Sequence, residues 1–320
     1  MRNLLALVSI LLLAVSQAQA QSYPNRPIRI VNPYAAGNTG DISFRTIAPV
    51  LEARLGQRFV LENKPGATGN IGAQDVMRSE PDGYTLLLAP SNNFVINQFL
   101  FKSLGYDPIG SFEPITIVSD APSVIVVQPS LQVSSLRELQ AVARSNPDKL
   151  NFSSPGAGTP PHLAVEWFGK LADVKLTHIP YRGSPAAILA LLSNDVQIYV
   201  SILSAVEGHL KSEKLKALAV AAPTRLGSLP DVPTTAESGF PELVMGTWWA
   251  LFAPKGTDKQ IVDRLATEVR AALADAAVVN RFREMGMSVG GERPQDLAAR
   301  IAAEAGSWEK VVQSIGLQLQ

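Results

Sequence analysis

The stretch "IRIVNPYAAGNTGDISFR", Ile28 to Arg45, joins a short apolar run to an amphipathic one. Ile28, Ile30 and Val31 read as a strand. Phe44, Ile47, Ala48, Leu51 and Leu55 recur at i, i+3, i+4, i+7 and i+11, one stripe of a helix. Between them Ala35, Ala36, Gly37, Asn38, Thr39 and Gly40 are small and uncharged, so bare backbone lies just before a helix begins. The first N–H groups of a helix have no partner within it and carry the positive end of its dipole. A bare loop feeding such an end suits an anion, a carboxylate in particular, without Lys or Arg. The arrangement recurs at "SSPGAGTPPH", Ser153 to His162. The plainer reading is a tight turn with a capping side chain, Asp41 or Thr159. Two such loops in the two halves of the chain favour binding.

The same alternation extends along the chain. Strand candidates are Ile28–Val31, Thr85–Ala89, Val124–Gln128, Asn151–Ser153, Thr177–Pro180, Val196–Val200, Lys216–Ala221 and Trp248–Ala253. Helical stripes lie between them, as at Leu163, Trp167, Phe168 and Leu171. This predicts an α/β fold with largely parallel sheets and helices on both faces, with ligands beyond the carboxyl ends of the strands. The boundary candidates are Ala121-Pro122-Ser123 and Met245-Gly246-Thr247. Asp258 to Leu317 reads as helices only, returning to cover the first lobe. One lobe then comprises residues 21–123 plus 248–320, the other 124–247.

The chain has 320 residues, 46% hydrophobic, enough for a sizeable core. Lys plus Arg equal Asp plus Glu at 28 each, so nothing points to nucleic acid or an anionic membrane surface. Arg2, the apolar run Leu4–Val15 and Ala18-Gln19-Ala20 form a secretory leader, residues 1–20, with cleavage expected after Ala20. The run is shorter than the ~20 residues of a membrane span. There is no cysteine, which excludes disulfides, thiolate-bound zinc and thiol nucleophiles. The bacterial periplasm is the simplest address.

Catalytic motifs are missing. No G-x-S-x-G elbow anchors a hydrolase triad. The three histidines, His162, His178 and His209, have no metal-ligand spacing. Gly156-x-Gly158 lacks the third glycine of a dinucleotide fingerprint, and Pro160-Pro161 stand where that motif needs helix N–H groups. His162 follows the second loop and has two readings, ligand contact or capping. Gly66, Gly69 and Gly72 match no phosphate motif and read as loop and close helix packing.

A family resemblance rests on "YPNRPIRIVNPYAAGNTGD", "ENKPGATGNIGAQDV", "PDGYTLLLAPSNNFVIN", "LGYDPIGSFEPIT", "KLNFSSPGAGTPPHLAVEWF", "HIPYRGSPAAILALL", "LPDVPTTAESGFP" and "WWALFAPKGT". In these motifs and their order the chain resembles the periplasmic solute-binding proteins of tripartite tricarboxylate transporters, the Bordetella uptake gene (Bug) family, from Tyr23 to Gly316. The resemblance implies a two-lobed Venus-flytrap fold, each lobe a mixed sheet flanked by helices, closing on a small organic acid. It implies a carrier handing its ligand to a two-subunit membrane permease. With the missing catalytic and metal motifs, the reading is a binding protein without catalysis, cofactor, metal or membrane insertion, its oligomeric state open with a monomer as the default. The rival classes are a protein that reports occupancy to a membrane kinase and an enzyme acting on an organic acid.

The match places Tyr34, Ala35, Ala36, Gly37, Asn38 and Asp41 in the first ligand loop, with Asp41 as helix cap. Ser91 and Asn92 fall in the next pocket loop, and Ser154, Ala157, Gly158, Thr159 and His162 in the loop of the second lobe. Tyr181 and Arg182, with Gly183, stand where the family commonly has Tyr-Lys-Gly. Ser201 stands where many members carry Asp, which argues for a ligand without a cation. Trp248-Trp249, with Tyr34 and Phe94, offers an aromatic wall for an aromatic acid; ordinary strand packing is preferred for Trp249.

Overall fold

The computed structural model describes residues 23–147 and 149–319. The leader at residues 1–20 lies outside the described residues. The architecture is α/β and two-lobed. In the first lobe β1 (Ile28–Asn32), β2 (Phe59–Asn63) and β3 (Thr85–Pro90) are parallel, in the order β2-β1-β3. Helix α1 (Thr39–Leu55) follows β1, α2 (Asn70–Met77) follows β2, and α3 (Asn92–Val95) with α4 (Asn97–Leu100) follow β3.

The next strand, β4 (Phe112–Val127), has 16 residues and belongs to both sheets. Helix α5 (Leu136–Ser145), β5 (Asn151–Ser154), α6 (Pro160–Ala172), β6 (Thr177–Pro180), α7 (Ser184–Leu192), β7 (Ile198–Ile202), α8 (Leu203–Lys211) and β8 (Lys216–Ala221) build the second lobe. The chain returns through β9 (Gly246–Pro254), α9 (Lys259–Leu273), α10 (Ala276–Glu284), β10 (Ser288–Val289) and α11 (Pro294–Ile315). Phe112 to Pro122 of β4 pair with β9, whereas Ser123 to Val127 lie between β7 and β8.

Each sheet thus has a parallel core, β2-β1-β3 or β7-β5-β6, and the strands that link the lobes run antiparallel. The mixed sheet that the family resemblance implies is what the structure has, whereas the strand pattern alone, read as largely parallel sheets, missed the antiparallel strands. Pro114, Asp120 and Pro122 hid the first part of β4, because proline cannot donate to a ladder and reads as punctuation. The strand accommodates them through register shifts at Pro114/Thr116 and Ile117/Ser119. Likewise β10 interrupts the tail that reads as purely helical and pairs with Ser119 and Asp120.

Helices cover both faces of the sheets, which is why "TLLLAP" in β3 is apolar without alternation. In β9 the two faces separate neighbouring side chains. Trp248, Ala250 and Phe252 pack with Phe94 in one cluster; Trp249, Leu251 and Ala253 pack with Phe44 and Val269 in another. Phe94 stacks on Phe252 at 3.8 Å between ring centres. Both rings are fully buried. Phe252→Ala should cost about 3–5 kcal/mol, read as a lower urea midpoint at unchanged slope.

Candidate functional site

A cavity of ≈ 190 Å³ lies where the carboxyl ends of both parallel cores meet. The first lobe contributes Tyr34, Gly37, Asn38, Thr39 and Ile42 after β1, Asn92 after β3, and Trp249 of β9. The second contributes Pro155, Thr159, Pro160 and Pro161 after β5, Ser184 after β6, Tyr199, Ser201 and Ile202 of β7, and Ser204 and Ala205 after it. Among the described residues that line it, none is Lys, Arg, His, Asp or Glu.

Residues from the N-terminal ends of α1, α6, α7 and α8 share this cavity. Their contributions differ. Thr39 opens α1, and Ser204 and Ala205 lie in the first turn of α8, so these ends present N–H groups that a helix leaves unpaired. Helix α6 begins with Pro160-Pro161, which have no N–H. The loop before it uses its own donors internally. Gly156 N donates to Ser154 Oγ (3.1 Å), Gly158 N to His162 Nδ1 (2.9 Å) and Thr159 N to Gly156 O (3.4 Å). The second cradle therefore offers less bare backbone than its composition suggests, and α8 supplies donors in its place.

The first loop is a built turn. Asn38, not Asp41, caps α1: its Oδ1 accepts from Asp41 N at 3.1 Å, and its Nδ2 donates to Ala35 O at 2.6 Å. Asp41 lies three residues further on. Its carboxylate reaches back to Gly37 N (3.1 Å) and pairs with Arg45 (3.1 Å), close to a capping box. The expected assignment of the cap to Asp41 is thus moved by three residues, because the asparagine side chain also satisfies that turn. Ala35 and Ala36 are exposed and lie outside the cavity lining.

Of the other expected residues, Tyr34, Asn92, Thr159 and Ser201 line the cavity. Burial pushes the Tyr34 phenol far above its ordinary value, so it stays protonated, donating to Thr68 O at 3.0 Å. The Tyr199 hydroxyl is pushed up to about 12 by burial, moderated by hydrogen bonds with Ser184 and Ser201. Ser91 instead receives β9: its N–H donates to Trp248 O. Ser154, Ala157, Gly158, His162, Tyr181 and Arg182 lie outside the lining. Ser154 and His162 shape the loop from beneath. His162 is buried and stacked on His178 at 3.8 Å, and Ser154 Oγ lies 2.6 Å from His178 Nε2. Gly158 packs towards Leu100 and Leu319, where an added Cβ would lie 2.9 and 2.6 Å from their methyl carbons.

The aromatic reading is corrected. Trp249 lines the cavity and meets Tyr34 edge-to-face at 5.7 Å, while Phe94 is core and Trp248 faces away, donating to Glu304. Sequence reasoning missed Ser184, Tyr199 and Ser204. The rule that found the first loops, the turn after a parallel strand, also selects the turns after β6 and β7. No glycine run advertises those turns.

A two-lobed α/β protein with an uncharged, amide-lined cavity between its lobes is of the periplasmic binding-protein class. Residues 43–317 match the model of the tripartite tricarboxylate transporter family receptor, TctC. Protein BugT of Bordetella pertussis is 35% identical over 324 residues, covering 100% of this chain and 99% of that one. The structure of R. palustris Rpa4515 with adipate is 33% identical and superposes with a TM-score of 0.88, covering 92% of this chain and 99% of that one. MatC from Rhodopseudomonas palustris with bound malate gives 31% identity and a TM-score of 0.85, covering 91% and 100%. The chain belongs to the TctC, or Bug, family of solute-binding proteins.

Two predictions test this geometry. A Cβ on Gly40 would lie 2.1 Å from the Trp249 ring, so Gly40→Ala should push the indole into the cavity and weaken ligand affinity at least tenfold by calorimetry. His178 is held down to about 3 by burial and by the neighbouring His162. Its folded value lies below the ordinary 6.5, so unfolding takes up a proton and stability falls as pH drops from about 6.5 towards 3. Urea midpoints across that window should slope less in His178→Gln.

Proposed function

We propose that this protein captures a small organic acid, a dicarboxylate or an aromatic acid, between its lobes in the periplasm. It delivers the acid as a monomer to the two-subunit permease of a tripartite tricarboxylate transporter, with no cofactor and no catalytic step. The observation that carries the reading is the chemistry of the cavity: no charged lining side chain, and the unpaired N–H groups of α1 and α8. Such ends favour anions. Its volume, equal to about six waters of liquid, suits an acid of a few carbons or one ring. The adipate and malate held by the two R. palustris proteins support the same ligand class. No helix among the described residues is long and apolar enough to cross a membrane. The lobes divide at residues 123 and 248 in this reading, supported by the change of partners along β4.

Isothermal calorimetry over linear diacids, hydroxy diacids and benzoates should find at least one micromolar ligand. Tighter binding of an amine or an uncharged sugar than of any acid would refute the assignment. Ser201 is buried and lines the cavity. Ser201→Asp should lower affinity for that acid more than a hundredfold, since two like charges roughly 5 Å apart at an effective dielectric near 20 repel by about 3 kcal/mol.

A further inference from the structure

The loop Gly66-Ala67-Thr68-Gly69 joins β2 to α2. Its residues have φ of +141°, +46°, +52° and +90°. Glycine adopts such angles freely; alanine and the β-branched threonine do so at a cost. Strain of this kind persists only where the surroundings impose it, and here they are visible. The Thr68 carbonyl oxygen accepts from Tyr34 Oη (3.0 Å), Asn97 Nδ2 (3.1 Å) and Asn92 Nδ2 (3.3 Å). Behind these donors Asn97 Nδ2 also donates to Asn70 Oδ1 (2.7 Å), which accepts from Tyr106 Oη (3.0 Å). The four asparagines at 70, 92, 93 and 97 are buried. The network fixes the Thr68 backbone, and its side chain then points out of the first lobe. Thr68 Oγ1 donates to Ala157 O in the loop of the opposing lobe, at 3.2 Å.

We propose that Thr68 is a closure latch, a positioning residue that holds the two lobes together over the ligand without touching it. Thr68 is not among the cavity-lining residues, yet Tyr34 and Asn92, which hold its carbonyl, both are. The side chains that meet the ligand therefore also set the latch. Beside it Gly158 packs against Leu100 and Leu319, and Leu319 N donates to Leu100 O at 2.7 Å, so the hydrogen bond closes next to an apolar seal. The Thr68–Ala157 bond exists only when the lobes are shut, so it acts on the closed population and on the escape of ligand. The inference rests on the solute-capture reading above, but its test does not depend on the ligand.

The chain has no cysteine, so spin labels can be placed at Arg78→Cys and Lys211→Cys, exposed positions on opposite lobes. Pulsed dipolar spectroscopy without ligand then reads the closed-to-open ratio. Removing one hydrogen bond should lower that ratio roughly three- to tenfold in Thr68→Ala and Thr68→Gly, with Thr68→Ser restoring it. With adipate as probe, the off-rate should rise by the same factor at unchanged on-rate. Thr68→Gly separates a latch from a merely structural residue. Glycine relieves the left-handed backbone and keeps the carbonyl network, so this variant should melt at or above the wild-type temperature while still closing less. A Thr68→Gly protein with the wild-type closed fraction and off-rate overturns the latch, as does a wild type with no closed population with or without adipate. Failure of every acid to bind the wild type would instead overturn the proposed function, leaving the ligand-free ratio to decide the latch.

Discussion

The constraint on which the structure depends is that β4 is one strand in two sheets. Its first part is held by β9 and β10 and its last residues by β7 and β8. The partners change between Pro122 and Ser123. The neighbouring crossing is tight as well: Ser123 N donates to Met245 O, and a Cβ on Gly246 would lie 3.1 Å from Ala121 O. Two strand crossings side by side are the geometry that the proposed closure of the lobes would use as its hinge. Near these crossings Arg300 joins Asp120, Glu292 and Glu304 at 2.6 to 3.3 Å, and Trp248 donates to Glu304. That network ties α11 to β4. The cavity on the other face is left free of charge.

The neutrality of the cavity has a physical logic. A lysine or arginine pointing into a closed, partly apolar space would carry a desolvation cost in the unliganded state. It would also hold an acid tightly enough to slow release. Helix ends supply only about half an elementary charge each, and their N–H groups are already fixed by the helix. Recognition then depends on geometry. Trp249, Tyr34 and Ile42 supply the apolar part of the lining and the helix ends the polar part, which suits an acid with a short hydrocarbon body.

The parallel cores, the two glycine-bearing loops and the strand at β9 were legible because each rests on local pattern. Ile28 to Val31, Thr85 to Ala89 and Trp248 to Ala253 fall within β1, β3 and β9. What could not be read was which hydrogen-bond donors remain free after the loops fold. "SSPGAGTPP" and "AAGNTGD" look alike as strings. In the folded chain His162 and Ser154 take up the donors of one, and two prolines remove the next pair. The role of Trp249 was hidden for a related reason. A strand tryptophan packs against the core on nearly any sheet, and here the absence of a side chain at Gly40 leaves room for the ring beside the cavity.

A latch outside the cavity has a thermodynamic advantage. A ligand stabilises the closed form only to the extent that it binds that form more strongly. Contacts made solely by the ligand would leave the empty protein open and make closure depend wholly on the acid. A lobe-to-lobe bond such as the proposed Thr68–Ala157 latch would instead raise the closed population of the empty protein, so that a smaller difference in affinity completes the closure. The strained glycine-flanked loop places that bond within one hydrogen-bond step of Tyr34 and Asn92. In the proposed latch, binding and closure would be coupled through groups already in contact, with no need for a longer relay through the core.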